Sequence, residues 1–203
     1  TWVTDRIGVG GGIWTPENMG AASRAGITHI IDMQIEFDDT QLAKPYGIVV
    51  CWNPVDDDFE PKPPQVFARG VEFALRALQE DGTKLFVHCA AGVHRAPMMT
   101  LALLGVMGWT VEDAMELIEG RRPVADFAEV YVRSVLAGSP FEGLAFGVPG
   151  FPVAPSGERR ETRSNRNALP GLSELAARRS AARQINRQGK CEPDGAQRWV
   201  QTR

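Results

Sequence analysis

The chain has 203 residues, of which 43% are hydrophobic and 23% charged, a composition typical of one globular domain with an appendage. No apolar run is long enough for a spanning helix, no signal peptide is visible, and cysteines at positions 51, 89 and 191 make no disulfide framework, so we expect a reduced, cytoplasmic protein. The net charge of −3 conceals an asymmetry, because residues 156–203 carry 11 Lys and Arg against 5 Asp and Glu, and an acidic body therefore precedes a basic tail.

The first 140 residues predict alternating strands and helices. A glycine-rich run at residues 8–12 lacks the remaining residues of a nucleotide-binding loop and predicts a turn at the edge of a strand. Thr15 followed by Pro16 indicates the start of a helix. Short β-branched runs at residues 27–32 and 48–52 predict two buried strands.

The alternation continues to residue 138. Apolar residues at helical spacing predict a helix over 65–80, and residues 84–88 predict a further strand. Three helices follow: an apolar and hence central one at 95–107, one at 111–119, and a last one that Asp126 and Glu129 would begin. This order predicts an α/β fold with a mostly parallel sheet of about four or five strands flanked by helices. Ligands bind at the carboxyl ends of such strands.

Beyond residue 140 the composition changes. Residues 143–157 are rich in Gly, Pro and Phe, and residues 158–203 in Arg, Asn, Gln and Ser. We therefore divide the chain into a domain at 1–140 and a tail at 141–203, which is predicted to be largely disordered apart from a candidate helix at 172–185. The basic charge of the tail suggests contact with nucleic acid, anionic lipid or another acidic partner, although a solvated end is the simpler interpretation.

The segment after the 84–88 strand carries the chemistry, because residues 87–97 read V-H-C-A-A-G-V-H-R-A-P. Five residues separate Cys89 from Arg95, a turn in which successive backbone N–H groups can bind an anion, with help from the N-terminal end of the next helix. Gly92 allows the backbone to close so tight a loop, and the guanidinium of Arg95 can hold two phosphate oxygens. The predicted phosphate-binding residues are Ala90, Ala91, Gly92, Val93, His94 and Arg95.

Cys89 at the bottom of such a loop is predicted to be a thiolate at neutral pH and the nucleophile for a tetrahedral anion held above it. A cysteine after an apolar strand is, on its own, more often a small buried hydrophobic residue. His88, Gly92 and Arg95 at their fixed spacing favour catalysis instead.

The pattern H-C-x-x-G-x-x-R resembles the signature of the protein tyrosine and dual-specificity phosphatases, and the run H-C-A-A-G-V-H-R-A-P is most similar to the phosphatases of regenerating liver. The resemblance covers roughly residues 1–138, including the break at Arg121-Arg122-Pro123 before the last helix. It implies the phosphatase fold, hydrolysis of a phosphate monoester through a phosphocysteine, and no cofactor. It also implies that His88 orients the loop through hydrogen bonds.

Members of this family use an acid that protonates the leaving oxygen, on a loop about 30 residues before the cysteine. Residues 54–58 read P-V-D-D-D and resemble the Pro-x-Asp-Asp segment of the regenerating-liver type, whose second aspartate is the acid. The resemblance therefore implies Asp57, with Asp58 and Asp56 as the alternatives. A solvated turn, in which aspartate is favoured because it forms local hydrogen bonds, would have the same residues at these positions.

Ala96 departs from the family, most of whose members have a Ser or Thr there that hydrogen-bonds the cysteine sulfur. The alanine in its place predicts slow breakdown of the phosphocysteine.

Cys51 is a candidate for a regulatory disulfide with Cys89, as some relatives form with a second cysteine. No metal is expected, because the three histidines show no ligand spacing.

The predicted activity is that of a cysteine-dependent protein phosphatase. The expected partner is a phosphorylated protein substrate, with phosphotyrosine first and phosphoserine or phosphothreonine next, because the loop lacks the lysines that inositol-lipid phosphatases of the family often carry. RNA 5′ ends and glucans are further alternatives. The rival interpretation is a binding module that keeps the loop but turns over little, which Ala96 also favours.

Overall fold

Four short strands form one wholly parallel sheet in the computed structural model, which describes residues 1–138. The order across the sheet is β1-β4-β2-β3, with bounds β1 (Ile7–Gly10), β2 (His29–Asp32), β3 (Val49–Trp52) and β4 (Leu85–His88). Asp32 lies beside both Trp52 and His88, and His88 lies beside Gly10. The carboxyl ends of all four strands therefore meet at one edge, and the predicted α/β fold is confirmed.

Six α-helices of the described region flank this sheet, and a short 3₁₀ helix, Lys44–Tyr46, follows the second of them. Their bounds are α1 (Pro16–Arg24), α2 (Thr40–Ala43), α3 (Pro64–Leu78), α4 (Arg95–Val106), α5 (Val111–Arg121) and α6 (Glu129–Gly138). Five of the six were predicted from the sequence. The exception is α2, whose four residues are too few to show a helical period.

Local hydrogen bonds explain where the helices begin. Thr15 Oγ1 accepts from the N–H of Asn18 at the start of α1, at 3.3 Å, as the sequence predicted. Two predicted boundaries are wrong. Helix α5 continues beyond residue 119 to Arg121, and α6 begins at Glu129, too late for Asp126 to be its N-cap. The N–H of Asp126 instead donates to the carbonyl oxygen of Val93.

Helix α4 is the central helix, as its uniformly apolar sequence predicted. Every residue from Arg95 to Leu104 is buried, and the helix contacts β1, β4, α3, α5 and α6. Its first turn follows directly from the loop after β4. The positive, buried end of this helix is therefore directed at the side of the sheet where the strands end.

The glycine-rich run near the N-terminus is an edge strand, and the predicted turn at residues 8–12 is wrong in its first half. Residues Ile7–Gly10 pair with β4 along their whole length. The glycines are required because the ring of Phe86 lies across this strand: a Cβ on Gly10 would stand 2.5 Å from that ring, and one on Gly8 would stand 3.1 Å from it. Glycine alternates with Ile7 and Val9 along this strand, so its sequence reads as a turn although it pairs as a strand.

None of the helices between residues 1 and 138 is both long and apolar enough to cross a membrane. The predicted tail at 141–203 and its candidate helix at 172–185 lie outside the described residues.

Candidate active site

The loop between β4 and α4 turns its backbone carbonyl groups outward. Each of four consecutive carbonyl oxygens accepts a hydrogen bond from outside the loop: Ala90 from Gly12 N–H at 3.0 Å, Ala91 and Gly92 from the Arg122 guanidinium at 3.0 and 2.7 Å, and Val93 from Asp126 N–H at 2.8 Å. Peptide units held in this way direct their N–H groups toward the loop centre, which is the arrangement of an anion-binding nest.

Gly92 closes the loop by a conformation that other residues rarely adopt. Its φ angle is +67°, and its Cα packs directly on the end of β1. A Cβ at this position would lie 2.4 Å from the carbonyl carbon and oxygen of Gly10. The glycine is therefore required both by the turn and by the strand beneath it.

Cys89 lies at the bottom of this loop, immediately after β4. Its side chain is buried, and its sulfur accepts a hydrogen bond from the N–H of Gly92 at 3.2 Å. An N–H donor and the N-terminal end of α4 both favour negative charge on the sulfur. The geometry thus places a sulfur nucleophile where the loop would hold an oxyanion.

Arg95, the first residue of α4, is buried and presents its planar fork to a carboxylate. Its two Nη atoms donate to the two oxygens of Glu36 at 2.8 and 2.9 Å, and Nη1 also donates to the carbonyl oxygen of Val55 at 3.1 Å. Hydrogen bonds from Arg95 hold the pKa of the Glu36 carboxyl below its ordinary value. A guanidinium that engages a carboxylate with both nitrogens has the geometry needed for a phosphate.

Asp57 is brought to the loop by three neighbours. Its Oδ1 accepts from the Tyr131 hydroxyl at 2.9 Å, and its Oδ2 lies 3.2 Å from Nδ1 of His94 and 3.6 Å from Nε of Arg95. Burial raises the pKa of Tyr131 to about 12, an effect to which Asp57 adds, so the phenol remains a hydrogen-bond donor at neutral pH. The carboxyl group of Asp57 is partly exposed beside the loop, where a leaving group can reach it.

The two neighbouring aspartates face elsewhere. Asp58 forms an ion pair with Lys62, and its pKa is lowered mainly by that contact. Asp56 Oδ1 accepts from the N–H of Asp57 at 2.8 Å, which fixes the turn. Among the three candidates named from the sequence, only Asp57 contacts His94 or Arg95 in the described contacts.

His88 lies behind the loop in a fully buried polar cluster with Asp32 and Asp39. Its Nε2 is 2.9 Å from Asp39 Oδ2, and its Nδ1 is 3.8 Å from Asp32 Oδ1. Asp32 in turn accepts backbone hydrogen bonds from Gln34 and Asp39 at 2.9 and 3.2 Å. His88 therefore contacts the carboxyl groups of the 32–39 segment, and its role in orienting the loop stays a prediction.

This cluster is the one group of described residues that could hold a metal ion, because its ligand atoms lie within 4.8 Å of one another. It is enclosed on all sides, and its histidine already contacts a carboxylate. Burial raises the pKa of Asp32 to about 6, opposed by the nearby His88 and the two backbone hydrogen bonds. We interpret the cluster as the support of β4 beneath Cys89.

The remaining loop side chains are simple. Ala90, Ala91 and Val93 bring no polar side chain, so backbone N–H groups and Arg95 are the groups of this loop that could bind a phosphate. The ring of His94 contacts the side chains of Asp57 and Asp126, and its role in substrate binding stays a prediction.

Cys51 lies on β3, and β2 stands between that strand and β4. Two strand spacings amount to roughly 9.6 Å, which exceeds the Cα separation that a disulfide can span. Both cysteines are free and buried. The candidate disulfide between Cys51 and Cys89 therefore does not fit this fold without movement of the backbone.

Several site residues were not predicted from the sequence. Glu36 and Tyr131 carry no motif, and Asp126 was assigned to a helix cap instead. Arg122 was noted only as part of a break between helices. The aspartate-rich turn was the one local signal that pointed to this side of the site.

Comparisons with known proteins agree with this geometry. A family model described as "Dual specificity phosphatase, catalytic domain" matches residues 17–137. Dual specificity protein phosphatase 5 of Rattus norvegicus is 34% identical over 74 residues, which are 36% of this chain and 19% of the relative. Protein tyrosine phosphatase type IVA 3 of Mus musculus, which is of the regenerating-liver type, is 32% identical over 99 residues, 48% of this chain and 56% of the relative. The chain thus spans less than two thirds of either relative.

Solved structures share the fold. The structure of PTPMT1 in complex with PI(5)P has a TM-score of 0.61 at 19% identity, covering 68% of this chain and 92% of that one. Human DUSP28 has a TM-score of 0.58 at 19% identity, covering 67% of this chain and 92% of that one.

Proposed function

This chain belongs to the dual specificity phosphatase family, and we propose that it hydrolyses phosphate monoesters through a phosphocysteine formed on Cys89. The observation that carries the proposal is the loop itself. Its four carbonyl oxygens are bonded outward, its sulfur accepts an inner N–H, and Arg95 stands at its end. These features suit a dianionic phosphoryl group in attack position above a thiolate.

The first step transfers the phosphoryl group to sulfur. The N–H groups of residues 90–95 and the Arg95 guanidinium would bind the phosphoryl oxygens, with the substrate taking the place of the Glu36 carboxylate on Arg95. The Cys89 thiolate forms the S–P bond as the P–O bond to the leaving group breaks. Asp57 gives its proton to the leaving oxygen, so that an alcohol or phenol departs instead of its anion.

The second step regenerates the enzyme. A water molecule attacks phosphorus while Asp57, now a carboxylate, takes one of its protons. The S–P bond breaks, its electron pair returns to sulfur as the thiolate, and inorganic phosphate leaves. No cofactor enters the balance of either step. Because the nucleophile must stay a free thiol, we further propose a reducing, cytoplasmic location.

Hydrolysis of an aryl phosphate tests this mechanism. We expect wild-type protein to release phosphate, Cys89→Ser to release none, and Asp57→Asn to be slower by ~10²–10⁴. Rapid quenching and mass spectrometry of the wild type should show a phosphate adduct on the Cys89 peptide. Equal rates for wild type and Cys89→Ser would reject the mechanism.

For the substrate we propose a phosphorylated protein, with phosphotyrosine first. Phe59 is 54% exposed and packs on the buried ring of Tyr131 and the largely buried ring of His94 beside Asp57, so its free face forms an aromatic wall next to the loop. Such a wall suits a phenyl ring better than a sugar. A panel of phosphopeptides, inositol phosphates, PI(5)P vesicles and RNA 5′ ends separates the classes, and a clear preference for any other class would replace this assignment.

The second candidate function is a binding module, which Ala96 favours. In this chain the first turn of α4 offers a methyl group where a hydroxyl would stabilise the departing thiolate. Tight binding of a phosphopeptide by wild-type protein, without measurable release of phosphate, would support the module. Release of many phosphates per protein molecule would support the enzyme.

We also propose that residues 1–140 form the catalytic domain and that the basic segment 156–203 contacts an acidic partner, because its charge is opposite to that of the domain. Comparison of residues 1–140 with the full chain, for turnover and for retention on an anionic resin, tests both statements.

A further inference from the structure

The ring of His94 is held between two carboxyl groups beside the phosphate loop. Its Nδ1 is 3.2 Å from Asp57 Oδ2, and its Nε2 is 3.6 Å from Asp126 Oδ2. The side chain is only 18% exposed, and its backbone stands directly before Arg95 at the start of α4. One residue of the phosphate loop therefore reaches the proposed acid.

Aromatic residues fix the plane of this ring. Phe59 meets it edge-on, with 5.0 Å between ring centroids, and Tyr131 lies 6.2 Å from it. Phe59 has a φ angle of +59°, the only positive value among the non-glycine residues described. Backbone strain of this kind persists only where the surrounding contacts impose it. Here the N–H of Phe59 donates to the Tyr131 hydroxyl, at 2.9 Å.

The two oxygens of Asp57 are thus held from opposite sides. Tyr131, on α6, donates to Oδ1, while His94, on the phosphate loop, contacts Oδ2. Without these partners the side chain would sit on an exposed turn and would lose conformational freedom each time it met a leaving group. Asp126 lies on the far side of the His94 ring and favours the orientation in which Nδ1 faces Asp57.

We propose that His94 is a positioning residue that acts through Asp57: by holding Oδ2 from the phosphate loop, it aligns the carboxyl group with the leaving oxygen of a phosphoryl group bound to that loop. The inference rests on the proposed function and deepens it. It predicts that, in the first step, His94 affects only reactions in which the leaving group needs a proton. Phosphate binding, which the backbone and Arg95 provide, should not depend on it.

Two aryl esters separate these effects. Phenyl phosphate expels a basic phenoxide that needs a proton, whereas 2,4-dinitrophenyl phosphate expels a stable anion. Slow breakdown of the phosphocysteine would limit kcat, so the first step is read from kcat/KM. We expect His94→Ala to lower kcat/KM for phenyl phosphate by about tenfold to a hundredfold, the share of acid catalysis that depends on alignment. For 2,4-dinitrophenyl phosphate kcat/KM should stay within about twofold, and the affinity for vanadate, which reports oxyanion binding, should change little.

Matched variants show whether the ring acts as a donor. His94→Asn places an amide N–H near the position of Nδ1 and should restore most of the rate with phenyl phosphate. His94→Gln carries the same group one methylene further and should restore less. If the alanine variant does not fold, the difference in rate between these two variants still tests the inference. Since His94 acts through Asp57, His94→Ala should cause no further loss in an Asp57→Asn background.

The outcomes are distinct. An equal loss with both esters, or an undiminished loss in the Asp57→Asn background, would show that His94 acts on phosphate binding and would overturn the inference while the proposed function stands. Unchanged rates in His94→Ala would also overturn it. Failure of wild-type protein to hydrolyse either ester would remove the proposed function, and this inference with it.

Discussion

Replacing Gly92 with alanine should open the phosphate loop, because its conformation and its surroundings both exclude a Cβ. At a φ of +67°, a non-glycine residue costs about 1–2 kcal/mol. The added Cβ would also lie 2.4 Å from the Gly10 backbone and 2.5 Å from Nη2 of Arg122. The strand or the loop must move to relieve this overlap, and either movement displaces the inner N–H groups, including the one that donates to Cys89.

Gly47 provides a matched control for this variant. Its φ angle is +69°, and a Cβ there would meet nothing within 4 Å. Gly47→Ala therefore carries the same backbone strain without the overlap, and it should lower the free energy of unfolding by about 1 kcal/mol with unchanged kcat/KM. Gly92→Ala should be less stable than this control, and its kcat/KM should fall by at least about a hundredfold, the effect of misplacing oxyanion donors.

The measurements are urea unfolding for stability, aryl phosphate hydrolysis for kcat/KM, and calorimetric titration with vanadate for oxyanion binding. Loss of vanadate binding in Gly92→Ala, with binding kept in Gly47→Ala, would place the effect in the loop. If Gly92→Ala were as stable as the control and kept kcat/KM within about twofold of wild type, the packing of Gly92 on Gly10 would not be what holds the loop closed.

Three further predictions concern the loop and its support. Ala96→Ser should raise steady-state turnover by about tenfold, because a hydroxyl can donate to the departing Cys89 thiolate; an unchanged rate would show that phosphocysteine breakdown is not limiting. Arg122→Ala should lower kcat/KM by about tenfold or more, since two loop carbonyl groups lose their outer partner, whereas the adjacent exposed Arg121→Ala should have little effect. Burial raises the pKa of Asp32 from 3.8 to about 6, so the native state binds more protons than the unfolded state in that interval, and Asp32 destabilises the protein increasingly as the pH rises through it. Asp32→Asn should therefore become more stable relative to wild type as the pH rises. In urea titrations, its free energy of unfolding should gain about 2 kcal/mol on that of wild type between about pH 4.5 and pH 7.5. A difference that stays constant with pH would contradict the assignment.

The sequence predicts those parts of this site that lie close together along the chain. Cys89, Gly92 and Arg95 fall within one turn, so their spacing already specifies a loop between a strand and a helix. The α/β fold follows for the same reason, because three of the four strands and most helices of the described region carry their own pattern. The Asp57 turn was found only through resemblance, since local chemistry alone cannot separate an acid from a solvated turn.

The partners of these residues come from distant positions, and for that reason no local pattern marks them. Glu36 meets Arg95 across 59 residues, and Tyr131 meets Asp57 across 74. Such pairs form only when α6 and the loop after β2 pack against the rest of the domain. No single position in the sequence carries a local signal for that packing. The β1 strand was missed for a related reason, because its glycines are explained only by the ring of a residue on the neighbouring strand.

For the proposed phosphatase activity, we expect from the charges around the loop a substrate with a single phosphate. Arg95 is balanced by Glu36 and Asp57, so the attraction for an anion comes mainly from backbone N–H groups and the end of α4, which act only at short range. A second or third phosphate would meet the acidic side chains outside this nest, among them Glu36 beside Arg95 and Asp126 beside His94. The same side chains would attract lysine or arginine beside a phosphorylated residue. A phosphopeptide with basic flanking residues should therefore have a higher kcat/KM than its acidic counterpart, with a difference that shrinks as salt is added, and a preference for the acidic peptide would show that these carboxylates do not face the substrate.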